Sequence, residues 1–167
     1  MTLPTSAFEA AVASVLKHEG GLSVNRSDPG QITKYGISQR AHPDVDVINL
    51  TPEQAREIYR VSYWTAIRGD ELPAALALCL FDSAVNQGVS AAVRMLQEAL
   101  RVDVDGVLGP ETLTAARHSG ARAVALFMER RLDRYEALVQ SRPGLQQFLR
   151  GWRLRVLETI WEASKAA

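Results

Sequence analysis

The sequence predicts a mainly α (α+β) fold: a helical bundle with one small β-hairpin near a candidate site. Three observations predict it. Helix start and stop signals recur along the chain, one segment is apolar over so broad a surface that it reads as a central helix, and a single turn-rich stretch holds β-type residues.

Ser6 followed by Glu9 reads as a capping box, in which a hydroxyl and a carboxylate take up the first free N–H groups of a helix. Phe8, Val12, Val15 and Leu16 then share one helical face, and Gly20-Gly21 stops the helix. Residues 22 to 38 are rich in turn formers, among them Asn25, Ser27, Asp28, Pro29 and Gly30. Within them Ile32 to Ile37, around Tyr35-Gly36, suits a short strand or hairpin. Irregular chain is expected from Ala41 to Leu50.

Thr51-Pro52-Glu53-Gln54 is a second helix start, with Thr as cap, Pro at the first helical position and Gln at the third. That helix runs towards Trp64 and breaks at Gly69-Asp70. Pro73 opens the broad apolar helix, which runs to about Asn86 and contains the sole cysteine, Cys79, as core filler. After Gly88, Ser90 is expected to cap a helix bearing Val93, Leu96 and Leu100. Asp103-Val104-Asp105-Gly106 reads as a turn, and Gly109-Pro110-Glu111 starts a short helix that Gly120 ends. Two longer helices, near 121–140 and 145–164, flank Arg142-Pro143-Gly144.

At 167 residues the chain is long enough for one real core, and 47% apolar with 23% charged residues is ordinary globular composition. A formal net charge of zero and the absence of a recognition motif argue against nucleic acid as a partner. No apolar run reaches the roughly 18 residues of a membrane span, so no stable membrane insertion is expected. His18, His42 and His118 are scattered and no metal-binding spacing occurs, which argues against a zinc peptidase. Met1-Thr2-Leu3-Pro4-Thr5 lacks the features of a signal peptide, so synthesis in a cytoplasm is expected.

The chemistry concentrates around Glu19. It follows a helix, whose C-terminal end carries partial negative charge that disfavours ionisation of a carboxylate. A glutamate kept protonated near neutral pH can donate to a glycosidic oxygen, and Gly20-Gly21 leave room for a bulky sugar. Asp28 comes nine positions later and Thr33 five further on. A second carboxylate helped by a hydroxyl can hold a water on the opposite sugar face, as inverting glycosidases require. By position alone Glu19 also reads as a surface residue before a helix stop, Asp28 as turn chemistry and Thr33 as a strand residue.

Residues 15 to 37, with Glu19-Gly20-Gly21, Asp28-Pro29-Gly30 and Thr33-Lys34-Tyr35-Gly36-Ile37, resemble the signature of the glycoside hydrolase family 108 muramidases of phage endolysins and related bacterial proteins. The Glu-Asp-Thr spacing is also similar to that of phage lysozymes, to within a residue at the threonine. The likeness continues through Tyr63-Trp64, Phe81-Asp82, Asn86-Gln87-Gly88, Leu96-Gln97, the run Asp105 to Pro110 with Thr112, Arg131, Tyr135, and Phe148 with Gly151-Trp152-Arg153. One departure is that Gln31 and Ile32 stand where relatives often carry glycine and a small or acidic residue.

The resemblance implies a lysozyme-like catalytic segment over residues 1–70 and a helical peptidoglycan-binding region over 71–167, packed as one compact unit. It implies cleavage of the β-1,4 bond between N-acetylmuramic acid and N-acetylglucosamine, with Glu19 as general acid and Asp28 and Thr33 serving the water. No metal or organic cofactor is implied. The partner is the peptidoglycan glycan strand, met by a monomer in the cell wall or periplasm after endolysin-like release through a holin. Sugar faces pack on aromatic rings, which nominates Tyr35, Trp64, Tyr135 and Trp152, although each also reads as core packing, and Trp152 aligns with Phe148 and Val156 at helical spacing; Asp82 and Asn86, one turn apart, read either as contacts on a cleft floor or as caps of neighbouring loops. Arg130, Arg131, Arg134, Arg150, Arg153 and Arg155 form a basic stripe, read either as a solvated face or as a grip on wall anions. Two other readings stay open: a lytic transglycosylase, which needs one glutamate and no activated water, and a non-catalytic wall-binding module.

Overall fold

The structure, a computed structural model, describes residues 6–18 and 32–166. Among them the chain runs α1 (Ala7–His18), β1 (Thr33–Lys34), β2 (Ile37–Ser38), α2 (Pro52–Tyr59), α3 (Ala74–Gln87), α4 (Val89–Leu100), α5 (Pro110–Ser119), α6 (Ala121–Ser141) and α7 (Gln146–Ser164). The fold is mainly α with one two-stranded antiparallel sheet, as the sequence predicts. No helix among the described residues is long and apolar enough to cross a membrane.

The expected centre is the observed one. Every residue of α3 from Leu76 to Ala84 is buried, because α1, α4, α6 and α7 surround it. One continuous core reaches from Phe8 in α1 to Ala163 in α7. Fully burying each of Leu76, Leu78, Leu80 and Phe81 contributes about 1.5–3 kcal/mol. Cys79 lies within this helix, and burial pushes its thiol up to about 12, which keeps it unreactive.

The helix ends follow the sequence signals with two differences. Thr51 and Gln54 make the complete capping box: Thr51 Oγ1 accepts from the Gln54 N–H at 3.2 Å, and Gln54 Oε1 accepts from the Thr51 N–H at 2.9 Å. Ser6 makes only half of one. Its hydroxyl accepts from the Glu9 N–H at 3.2 Å, but the Glu9 carboxylate pairs with Arg56 of α2 instead of turning back. The second difference is at α4, which starts at Val89 rather than after Ser90. Gly88, at φ +90°, reverses the chain in a single residue, so Ser90 already lies inside the helix.

A π-helical turn, Arg60–Trp64, prolongs α2 and delivers Trp64 into the core. There Phe8, Trp64 and Phe81 meet edge to face, with ring centroids 5.4 Å apart for Phe8–Trp64 and 5.7 Å for Trp64–Phe81. The indole N–H donates to Asp70 Oδ1 at 2.9 Å. Gly69 is in contact with this indole, and a Cβ added there would fall on its ring atoms.

Because Trp64 has no room to move, Gly69→Ala should lower stability by about 1–3 kcal/mol through overpacking. Gly144→Ala, where an added Cβ meets nothing within 4 Å, should be close to neutral. Thermal denaturation of the two variants beside wild type checks the contrast; equal melting temperatures would refute it.

Candidate active site

The sequence places the chemistry between the end of α1 and the hairpin. Glu19 and Asp28 lie outside the described residues, while Thr33 and Tyr35 are in the hairpin itself. Thr33 pairs with Ser38 and Lys34 with Ile37, leaving Tyr35-Gly36 as a two-residue loop. Both loop residues have positive φ, 52° and 76°, the combination of a type I′ turn that matches strand twist. A tyrosine rarely takes this conformation. Here its backbone carbonyl accepts from the Tyr59 hydroxyl at 2.6 Å, so α2 holds the turn.

Two further side chains tie the hairpin to the loop behind it. Lys34 Nζ donates to the Ile48 carbonyl at 2.9 Å. Gln39 directs its amide nitrogen at the carbonyls of His42, Pro43 and Val45, at 3.2, 3.1 and 2.9 Å. Ile37 fastens the sheet into the core. Thr33 and the Tyr35 ring are half-buried, which leaves each an accessible edge.

Three side chains read from the sequence as substrate contacts are enclosed by protein. Trp64 is 1% exposed and its indole N–H is engaged by Asp70, so it presents no face to a sugar. Asp82 is buried in α3, where Arg131 of α6 reaches Oδ2 at 2.7 Å and Arg155 of α7 reaches Oδ1 at 2.9 Å. Tyr135 is 2% exposed and stacks on Trp152 with centroids 4.9 Å apart. Its hydroxyl accepts from Arg131 Nε at 3.2 Å and donates to Asn86 Oδ1 at 2.7 Å. Asn86 is exposed, so this chain of contacts runs from a buried ion cluster to a surface amide whose oxygen is already engaged.

Burial pushes the Asp82 carboxyl up, but the Arg131 and Arg155 guanidiniums outweigh it and hold the group below the ordinary carboxylate range. The same contacts revise the basic stripe. Arg131 is wholly buried and Arg155 nearly so, whereas Arg130 and Arg153 pair on the surface with Asp133 and Glu136. One signal was available: Arg131 lies four residues after Phe127 and four before Tyr135, on the inward face of its helix.

Sequence reasoning assigned no role to Gln97, and the structure gives it one. Its buried amide donates to Asp105 Oδ1 at 2.6 Å and to the Val107 carbonyl at 2.9 Å, and accepts from the Gly106 N–H at 2.8 Å. The pieces Leu96-Gln97 and Asp105 to Pro110 are therefore one knot. Arg68 joins it to the first half of the chain by donating to the Leu108 carbonyl at 3.1 Å. Beside the knot, α4 and α6 leave an open groove of about 830 Å³ carrying Arg94, Arg130 and Arg134. Gln87 lies at its edge with an amide that is buried and has no hydrogen-bond partner among the described residues.

The family model described as Glycosyl hydrolase 108 matches residues 12–88, and that described as Predicted Peptidoglycan domain matches residues 91–157. The solved structure of Brucella abortus SagA is 33% identical, covers 95% of this chain and 94% of its own, and superposes with a TM-score of 0.79. The chain belongs to glycosyl hydrolase family 108. A search of curated proteins finds no match. As a family 108 member with a peptidoglycan domain, it is a glycoside hydrolase acting on peptidoglycan, of the N-acetylmuramidase type. The first matched stretch ends at Gly88 and the second begins at Ala91 in α4, so α3, the last helix of the family 108 match, packs directly on α4, α6 and α7 of the peptidoglycan match.

Replacing Asp82 by Ala should cost about 3–5 kcal/mol, since the wholly buried Arg131 guanidinium loses the carboxylate it pairs with. A depressed folded pKa stabilises above the unfolded value of 3.8 and loses that contribution as pH falls through the lower folded value. Wild type should therefore lose melting temperature below about pH 4, and Asp82→Asn should start lower at neutral pH and fall less steeply. Melting curves against pH for both proteins check this; parallel curves would count against it.

Proposed function

We propose that the chain hydrolyses the β-1,4 bond between N-acetylmuramic acid and N-acetylglucosamine, with Glu19 as the general acid. The observation that carries the reading is the family 108 match over residues 12–88, which spans Glu19-Gly20-Gly21 directly after α1 in the chain. The partial negative charge at a helix C-terminus favours the protonated carboxyl that donation to a leaving oxygen needs. Asp28 is the partner carboxylate for the water, and Thr33 assists it from β1.

Glycan contact falls to the side chains with accessible surface. Tyr35 offers a ring edge at the hairpin tip, and Asn86 offers its amide nitrogen, since its oxygen is held by Tyr135. Trp64, Asp82 and Tyr135 act behind them as supports. The groove between α4 and α6, with its arginines, suits the carboxylates of the peptide stems. Action in the wall as an endolysin released through a holin rests on the family resemblance alone; host lysis only on co-expression with a holin would support that delivery route.

Turbidity loss of purified sacculi is the deciding measurement. Glu19→Gln should fold and bind sacculi as wild type does and lose activity about 100-fold or more. Asp28→Asn should also be impaired. Mass analysis of wild-type products should show reducing muramic acid ends. Anhydro ends would replace hydrolysis by transglycosylation, and a fully active Glu19→Gln would remove Glu19 from the chemistry.

A further inference from the structure

Of the nine large apolar side chains left exposed among the described residues, five lie on α7, which makes this helix the place to look for a missing partner. Its inner face is conventional: Leu149, Val156, Thr159 and Ala163 are buried against the bundle. Its outer face is not. Leu154 is 54% exposed, Leu157 62% and Trp161 64%, and steps of three and four residues put them on one line down the solvent side. Ile160, 37% exposed, widens the line on one flank.

We propose that this face is a self-association surface, through which two copies of the chain pair with their α7 helices parallel. Leu154, Leu157 and Trp161 take alternate seam positions of a short heptad pattern. In a parallel pair, the residue just before a seam position faces the residue five further on in the other helix. That sets Arg153 opposite Glu158 of the second copy, and by symmetry the reverse. Arg153 already reaches Glu136 of its own chain at 2.7 Å, and its guanidinium fork has donors for a second carboxylate. Arg150 occupies the seam position one turn before Leu154, so like charges end the seam there.

Charge selects the occupant. The positions that flank the seam carry Arg153, Glu158 and Lys165, and the Arg153–Glu158 pairing, made twice by symmetry, complements a second copy of the chain. The exposed portions of the four apolar side chains come to roughly 400 Å² per copy, at the size where an apolar patch on a monomer marks an interaction site. The face is smaller than the roughly 800 Å² per partner of a standard interface, so the pairing is expected to depend on concentration. The monomer expected from the sequence then holds at the dilute end.

Sedimentation velocity of the full chain at rising concentration tests the pairing. Wild type should shift from monomer towards dimer, while Leu157→Arg and Trp161→Glu should stay monomeric with unchanged melting temperature and unchanged activity on sacculi. The direction of pairing has its own readout. Cys79 is buried, so Leu154→Cys supplies the accessible thiol, and it should oxidise to a covalent dimer while Val61→Cys, equally exposed but away from the seam, does not. A wild type that is monomeric throughout, or a dimer indifferent to both seam variants, would overturn the proposal. So would a monomer that binds phosphatidylglycerol vesicles through Trp161, which would make the face a lipid surface. None of these outcomes depends on Glu19, so the pairing and the reaction stand or fall separately.

Discussion

Asp82 is the only charged residue of α3 and sits in its buried stretch, where a carboxylate is tolerable only with its counter-charges in place. Two arginines supply them, one from α6 and one from α7, so a single side chain fixes how both helices sit against α3. The apolar contacts around α3 contribute the bulk of the stability. The ion cluster contributes register, because a slip of either helix by one turn would strand a guanidinium in the core. From Arg131 the order passes through Tyr135 to Asn86, which is how a buried charge comes to orient an amide at the surface.

The loops obey the same rule on a smaller scale. Backbone groups that leave regular structure still need partners, and here side-chain amides provide them. Gln39 gathers three carbonyls behind the hairpin, and Gln97 holds both sides of the turn after α4. Tyr59 fastens the left-handed Tyr35 turn. The result is a hairpin and a connecting loop whose backbone groups are held by side chains from neighbouring segments.

Much of the fold was legible because its signals are local. Thr51 to Gln54 is a capping box wherever it occurs, Gly109-Pro110 starts a helix by its own stereochemistry, and the apolar breadth of Leu76 to Phe81 calls for burial on all sides. The Tyr35-Gly36 turn was legible for the same reason. Differences arose where a distant residue intervened or where two local signals competed. Glu9 met Arg56 and left its box half made, and Gly88 started α4 before Ser90 could cap it. Trp64, Asp82 and Tyr135 have the residue types of a sugar site, yet residue type does not tell a ring facing a glycan from a ring facing Phe81 or Trp152.

The helical class, the order of the elements, the hairpin, and the family, through the run from Glu19 to Ile37 and the pieces beyond it, all follow from near neighbours and their spacing. Which polar residues are buried and which apolar ones are not was settled by the packing of the helices. Arg131 vanished into the core, Gln97 became the centre of a loop, and Leu154, Leu157 and Trp161 were left facing water. Each of these outcomes is set by how helices distant in sequence close around α3, and helical periodicity alone does not say which face of α7 turns inward.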